Sequence, residues 1–200
     1  MGEKIKRGLG VILILVGLSV IVSIAYKKID TANKQKELQR ILEQVISEEP
    51  NESGEAVNTN SELQLINGQK PIALIEIPSI KLSQGIVEGM DDEVLKYYLG
   101  HFEDSAKPGE KGNFSVAGHR VSDYSDVLVN LYKTEVGDEI IVKADKKKYI
   151  YKITDNFIVN PDRVDVLDNT DEATITLITC TVGAKERVVV KGNLVEITDL

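Results

Sequence analysis

Residues 174–181 read Thr-Ile-Thr-Leu-Ile-Thr-Cys-Thr. β-Branched residues dominate the run, which suits a pleated strand. Ile175, Leu177 and Thr179 share one parity, and Thr176, Ile178 and Cys180 share the other. Apolar side chains on both parities predict a strand covered on both faces. The pattern stops at Cys180, and Val182-Gly183 signals a turn. The cysteine therefore sits at a strand end beside a loop, where a scaffold presents reactive groups. Taken alone, a free cysteine reads more readily as an inert, buried, small hydrophobe.

Working outward, short β-rich runs fill the chain from Lys70 onward. They are Ile72–Ile77, Gly85–Glu88, Asn113–Ala117, Glu139–Lys143, Tyr149–Thr154, Phe157–Val159, Thr174–Thr179 and Arg187–Val190, with Leu194–Ile197 closing the set. Pro78, Pro108-Gly109, Gly137-Asp138 and Asn160-Pro161 punctuate them. Helical signal is confined to Asp91–Leu99 and Tyr124–Leu131. This texture predicts a mainly β domain, a closed barrel or a sandwich.

Composition removes several function classes. The chain has 200 residues and a net charge of −8. A nucleic-acid binder needs a basic face, so that class is set aside. One cysteine excludes an intramolecular disulfide framework. With only two histidines besides, a structural zinc site is not expected. No metal and no cofactor are expected.

The N-terminus places the chain at a membrane. Leu9 to Ala25 carries no charge and is flanked by Lys4, Lys6 and Arg7 before it and Lys27 and Lys28 after it. About 17 apolar residues is the lower limit for crossing the hydrocarbon core as a helix. A retained signal anchor over residues 9–26 is the preferred reading. A cleaved signal peptide, suggested by Ser23-Ile-Ala25, and a buried core helix are the alternatives. Residues 27–49 read as a helical stalk, with Leu38, Ile41, Leu42, Val45 and Ile46 at helical spacing. Residues 50–69, rich in Asn, Glu, Ser and Gly, read as a flexible linker. The catalytic domain is expected over 70–200. Lysines and arginines after the apolar run outnumber those before it, so the charge flanks leave the orientation open.

Two residues join Cys180 as candidates. His119 follows Phe114-Ser-Val-Ala117 and Gly118, again at an apparent strand end. A histidine raises the thiolate fraction of a cysteine or gives a proton to a leaving amine. Arg187 opens Val188-Val-Val190, which reads as the returning strand of a hairpin. A guanidinium there suits an oxyanion or substrate carbonyls. His101, in Tyr97-Tyr-Leu-Gly-His-Phe102, reads as structural.

Together these residues resemble the sortases, the membrane-anchored cysteine transpeptidases of Gram-positive bacteria. Thr176-Leu-Ile-Thr-Cys180 matches the family's TLxTC signature, and Ala117-Gly-His119 matches its histidine segment. Arg187 stands at the family's spacing after the cysteine. Ile75-Glu-Ile-Pro78, Gly100-His101-Phe102 and Lys107–Asn113 fit supporting segments. The short loop from Cys180 to Arg187 and the Gly-His-Arg context look most like class D, with class A as runner-up. Lys107 and Lys111 in the loop before His119 speak against calcium dependence.

The resemblance implies a closed sortase-type barrel of about eight strands with short helices. It implies that Cys180 attacks the Thr–Gly bond of an LPxTG-type sorting signal and forms a thioester. His119 would move the proton and Arg187 would hold the oxyanion or the peptide, with Thr179 as a substrate contact. The implied partners are surface proteins bearing that signal and an amine of a peptidoglycan precursor, lipid II. The implied setting is a single-pass membrane protein, residues 1–8 cytoplasmic and the catalytic domain outside. Three other readings stand beside this one: a non-catalytic tethered β-domain, a pilin-polymerising sortase, and a papain-like hydrolase. Against the hydrolase, the histidine precedes the cysteine in the chain.

Overall fold

Eight strands close into one barrel: β1 (Pro71–Ile77), β2 (Leu82–Glu88), β3 (Leu99–His101), β4 (Gly112–Ala117), β5 (Glu139–Ala144), β6 (Lys147–Val159), β7 (Ala173–Cys180) and β8 (Arg187–Asp199). Their order around the barrel is β1-β2-β3-β4-β7-β8-β6-β5, and β5 returns to β1. The pairs β2–β3 and β4–β7 are parallel and the rest antiparallel. This computed structural model describes residues 2–47, 70–121 and 127–200. The expected linker 50–69, and residues 122–126, which include the start of the second expected helix, lie outside the described residues.

The double-sided pattern of β7 has the cause expected of it. Ile175 and Leu177 point into the barrel and meet Phe114, Val116, Val188 and Val190 in its core. Ile178 faces outward and is covered too, in a second cluster with Val159, Val166 and Val189. A closed barrel leaves no unpaired strand edge, so every strand is pinned on both sides.

Tyr149–Thr154 and Phe157–Val159, which read as two runs, are one strand with a register shift between Ile153 and Asp155. An extra residue in one strand exchanges its faces from that point on. Tyr149, Tyr151 and Ile153 therefore fill the core, while Phe157 and Val159 of the same parity join the outer cluster. Asn156 turns inward and donates from Nδ2 to the carbonyl of Thr134 at 2.8 Å and its Oγ1 at 3.0 Å. Similarly, Arg187–Val190 and Leu194–Ile197 are halves of β8.

Two local expectations change. The first expected helix is shorter, α2 (Asp92–Tyr97), and Leu99 belongs to β3. Asp91 caps α2 by accepting from the Val94 N–H at 2.9 Å. β3 has only three residues, too few to show a period. Of the second expected helix, residues 127–130 form turns and Leu131–Lys133 a short 3₁₀ turn. Leu128 and Leu131 are nonetheless core residues, so tertiary burial and not helical periodicity accounts for their spacing.

His101 on β3 is buried, with Nδ1 against Glu88 Oε1 at 2.5 Å and Nε2 3.0 Å from both the Ala106 carbonyl and Ser105 Oγ. Ahead of the barrel, α1 (Gly2–Ser47) is one unbroken helix. Its stretch Lys6–Arg40 contains a window of mean hydropathy 2.7, long and apolar enough to cross a membrane, with none of that window buried.

Tyr151 supplies a test of the core. Its hydroxyl accepts from the Gly109 N–H at 2.8 Å. Burial pushes the phenol up to about 12, against the opposing pull of the Gly109 hydrogen bond. Above pH ~10 the unfolded chain releases this proton while the folded chain keeps it, so stability falls as pH climbs toward ~12. Tyr151→Phe should cost about 1 kcal/mol at pH 7 through the lost hydrogen bond and flatten the alkaline fall. Urea titrations at neutral and alkaline pH check both, and an unchanged alkaline slope would exclude Tyr151 as its source.

Candidate active site

β4 and β7 run parallel and in register, from Gly112 opposite Ala173 to Ala117 opposite Ile178. Gly118 continues the match, its N–H donating to the Ile178 carbonyl at 3.2 Å. Two residues past Ala117 and Ile178 come His119 and Cys180. The β4–β7 pairing ends at Ala117 and Ile178, so the segments carrying His119 and Cys180 leave it at the same end of the barrel. On the other flank of β7, Arg187 is the register partner of Cys180. The segments that carry His119, Cys180 and Arg187 thus make a row at one end of the barrel, in the order β4, β7, β8.

Cys180 has the outward parity of Ile178, and directly opposed residues of an antiparallel pair point the same way. Arg187 therefore shares the outer face with Cys180. Both are half-buried, and His119 is exposed. The arrangement is a nucleophile candidate flanked by a titratable imidazole and a fixed cation, open to a ligand from outside the barrel.

The fourth candidate falls elsewhere. Thr179 has the inward parity and is buried, and its Oγ1 donates to the Gly118 carbonyl at 2.8 Å. It supports the peptide that carries His119 and stands apart from the outer row. The Leu128 N–H adds a bond to the His119 carbonyl at 3.3 Å. Gly118 itself is buried, and a Cβ there would run into the Leu99 side chain. A side chain at that position would push the His119 segment off the barrel.

The loop from Cys180 to Arg187 is closed by its own bonds. The Thr181 N–H donates to the Glu186 carbonyl at 3.0 Å, and the Glu186 N–H donates to Thr181 Oγ1 at 3.1 Å. Gly183, at φ 79°, supplies the left-handed turn. Arg187 Nη1 donates to the carbonyls of Ala184 at 3.3 Å and Glu186 at 3.2 Å. These bonds hold the guanidinium by one nitrogen against the loop.

A residue missed in the sequence, Asn113, secures the opposite wall. It is buried on β4 and its amide is fully used. Nδ2 donates to the carbonyls of Val166 at 3.3 Å and Asp168 at 3.2 Å, and Oδ1 accepts from Thr176 Oγ1 at 2.7 Å. Its backbone N–H donates to Asn169 Oδ1 at 3.0 Å. The segment between β6 and β7, with its 3₁₀ turn Val164–Leu167, is thereby tied to β4. An asparagine at the start of a buried strand was the available signal, since a buried amide demands partners. Exposed Val164 lies in the segment between β6 and β7, and exposed Val182 in the loop between Cys180 and Arg187. Among the described residues, no group of three His, Cys, Asp or Glu side chains stands together as a metal site.

Asn113→Asp would set a carboxylate against two carbonyl oxygens where the amide donates. A loss of about 1–3 kcal/mol is expected, with amide hydrogen exchange accelerated over residues 160–172. Unchanged exchange in that segment would mean the loop is held by other contacts.

A family model for the Sortase domain matches residues 75–195. The structure of a Clostridium perfringens Sortase D5 transpeptidase is 35% identical at TM-score 0.70, covering 82% of this chain and 99% of that one. Sortase D of Bacillus subtilis (strain 168) is 26% identical over 167 residues, 81% of this chain and 82% of its own. Sortase SrtE1 of Streptomyces coelicolor is 32% identical over 142 residues, 62% of this chain but 40% of the longer relative. The barrel order, the matched domain and these likenesses together place the chain in the sortase family, whose members are cysteine transpeptidases.

Proposed function

We propose that the protein cleaves LPxTG-type sorting signals between Thr and Gly and transfers the acyl part to a peptidoglycan amine, with Cys180 as nucleophile. The observation that supports this reading is the order of the segments: Cys180 of β7 pairs with Arg187 of β8, and His119 follows the end of β4, the other neighbour of β7.

In the first half-reaction the Cys180 thiolate attacks the threonine carbonyl carbon. The C–N bond to glycine breaks, the leaving amine takes a proton from the His119 imidazolium, and a thioester remains. In the second, an acceptor amine attacks the thioester. His119 takes its proton, the new amide forms and the thiolate is released. Arg187 uses Nη1 on its own loop. Its Nε and Nη2 are the donors for the developing oxyanion or the peptide carbonyls. Exposed Val182, in the loop between Cys180 and Arg187, suits the apolar part of such a signal. The substrates are surface proteins carrying the signal at their C-terminus, and the acceptor belongs to lipid II. Those substrates lie outside a Gram-positive cell, so the N-terminus is cytoplasmic, α1 spans the cell membrane and the barrel is extracellular. Class D is the favoured subclass, in keeping with the likeness to the Clostridium perfringens protein.

Purified protein in detergent, given LPxTG-type peptides and an amine in excess, should form the amide product seen by mass spectrometry. Cys180→Ala should abolish product. His119→Ala should slow it by roughly 10²–10⁴-fold and Arg187→Ala by about 10²–10³-fold. Product formation by Cys180→Ala would end the thioester mechanism. Hydrolysed peptide without amide would point to a protease.

A further inference from the structure

Leu38 of α1 is fully buried, although Gln35, Lys36, Glu37, Gln39 and Arg40 surround it in sequence. Its side chain enters a cluster with Leu74 and Val87 on the outer faces of β1 and β2, and with Val94 and Tyr98. Gly85 makes the room, since a Cβ there would fall on the Leu38 side chain. Thr31, two turns earlier, is buried as well. Gln35 Nε2 donates to the Tyr97 carbonyl at 2.7 Å, and Gln39 Nε2 donates to the Ser83 carbonyl at 2.6 Å. Lys34 Nζ sits 3.8 Å from the centroid of the Tyr97 ring. Positions 31, 35, 38 and 39 lie on one helical face. That face is mostly polar apart from Leu38, the first residue of the apolar stripe read from the sequence.

We propose that the stalk is a docking bracket: through Leu38 it clamps the barrel to the membrane helix at one height and one orientation. α1 has no break between its apolar run and this docked face. From Ala25 to Thr31 the helix rises about 9 Å, and to Leu38 about 20 Å. The headgroup layer adds about 5–8 Å beyond the hydrocarbon core. The barrel is therefore gripped from just above the headgroups upward. A polar tether of the length of residues 48–69, acting alone, would let it wander by about 25 Å r.m.s.. The bracket holds the row of His119, Cys180 and Arg187 at a set distance from the bilayer. It favours partners that are themselves held at the membrane surface.

Cys180 is the only thiol in the chain, which makes a two-label distance measurement simple. The full chain carrying Asn33→Cys is placed in lipid nanodiscs, spin-labelled at both thiols and measured by pulsed dipolar spectroscopy. One narrow distance distribution is expected. Leu38→Glu should broaden it toward about 25 Å, the scale of a free tether. Gly85→Val, which displaces Leu38 from the barrel side with a residue that favours strands, should act alike. Gln35→Ala with Gln39→Ala removes only the two side-chain bonds and serves if the others do not fold. A broad distribution in the chain with its interface intact overturns the proposal, as does a narrow one that survives these substitutions. A functional readout rests on the transpeptidase reading. Leu38→Glu should lower product with a vesicle-anchored amine about tenfold, through lost effective concentration, and leave a soluble peptide and amine unchanged. Absence of turnover in the intact protein would count against that reading alone, because the distance distribution judges the bracket by itself.

Discussion

The site depends on one pairing, the parallel match of β4 to β7. Parallel neighbours cannot be joined by a tight hairpin, so the chain travels through β5 and β6 before β7 returns beside β4. That detour lets two remote segments end at the same edge of the barrel, one with His119 and the other with Cys180. The antiparallel β7–β8 hairpin then adds Arg187 at a spacing fixed by the closed loop between them. A one-residue slip in either ladder would turn a side chain to the wrong face. The core prevents it, because Ile175, Leu177, Val188 and Val190 are buried only in the observed register.

Buried polar groups do the positioning around this frame. Asn113 holds the β6–β7 segment, Thr179 holds the Gly118 carbonyl, and Asn156 holds the turn at Thr134. Each spends its side chain on a backbone group that would otherwise lie buried without a partner. Exchange for an apolar side chain of similar size would fill the space and lose the direction. In α1, two glutamines serve the same end on the outside of the barrel.

Much of this was legible in the sequence, and the remainder has identifiable physical reasons. The double-sided β7, the strand ends at His119 and Cys180, and the long apolar helix carried strong local patterns. β3 escaped because three residues show no period, and because Leu99 lengthened an apparent helix. β6 and β8 each read as two runs, since bulges break alternation and parity cannot be followed across them. Leu128 and Leu131 imitated a helical repeat while packing as turn residues. The resemblance implied a substrate contact for Thr179, whose hydroxyl is spent on the Gly118 carbonyl. Adjacent strand residues face opposite sides, and its parity with Ile175 and Leu177 already pointed inward. Asn113 and the docked face of α1 left faint traces, because a polar residue shows its partners only when the chain is folded.

The two histidines show how far burial decides what a residue can do. Both stand on or beside neighbouring strands of one sheet, and β3 pairs with β4 opposite His101 and Val116. The ring of His101 is enclosed, with Glu88 on one nitrogen and Ala106 and Ser105 on the other. Both of its ring nitrogens are already engaged inside the protein, out of reach of a ligand. His119 is exposed and held by its backbone through Leu128 and the neighbouring Gly118. Its position is fixed while its ring is left open to a ligand. In the mechanism proposed above, a general acid that must later serve as a base needs that combination, because each proton transfer changes what the ring can bind. The barrel supplies it by anchoring peptide groups and leaving the outward side chains available.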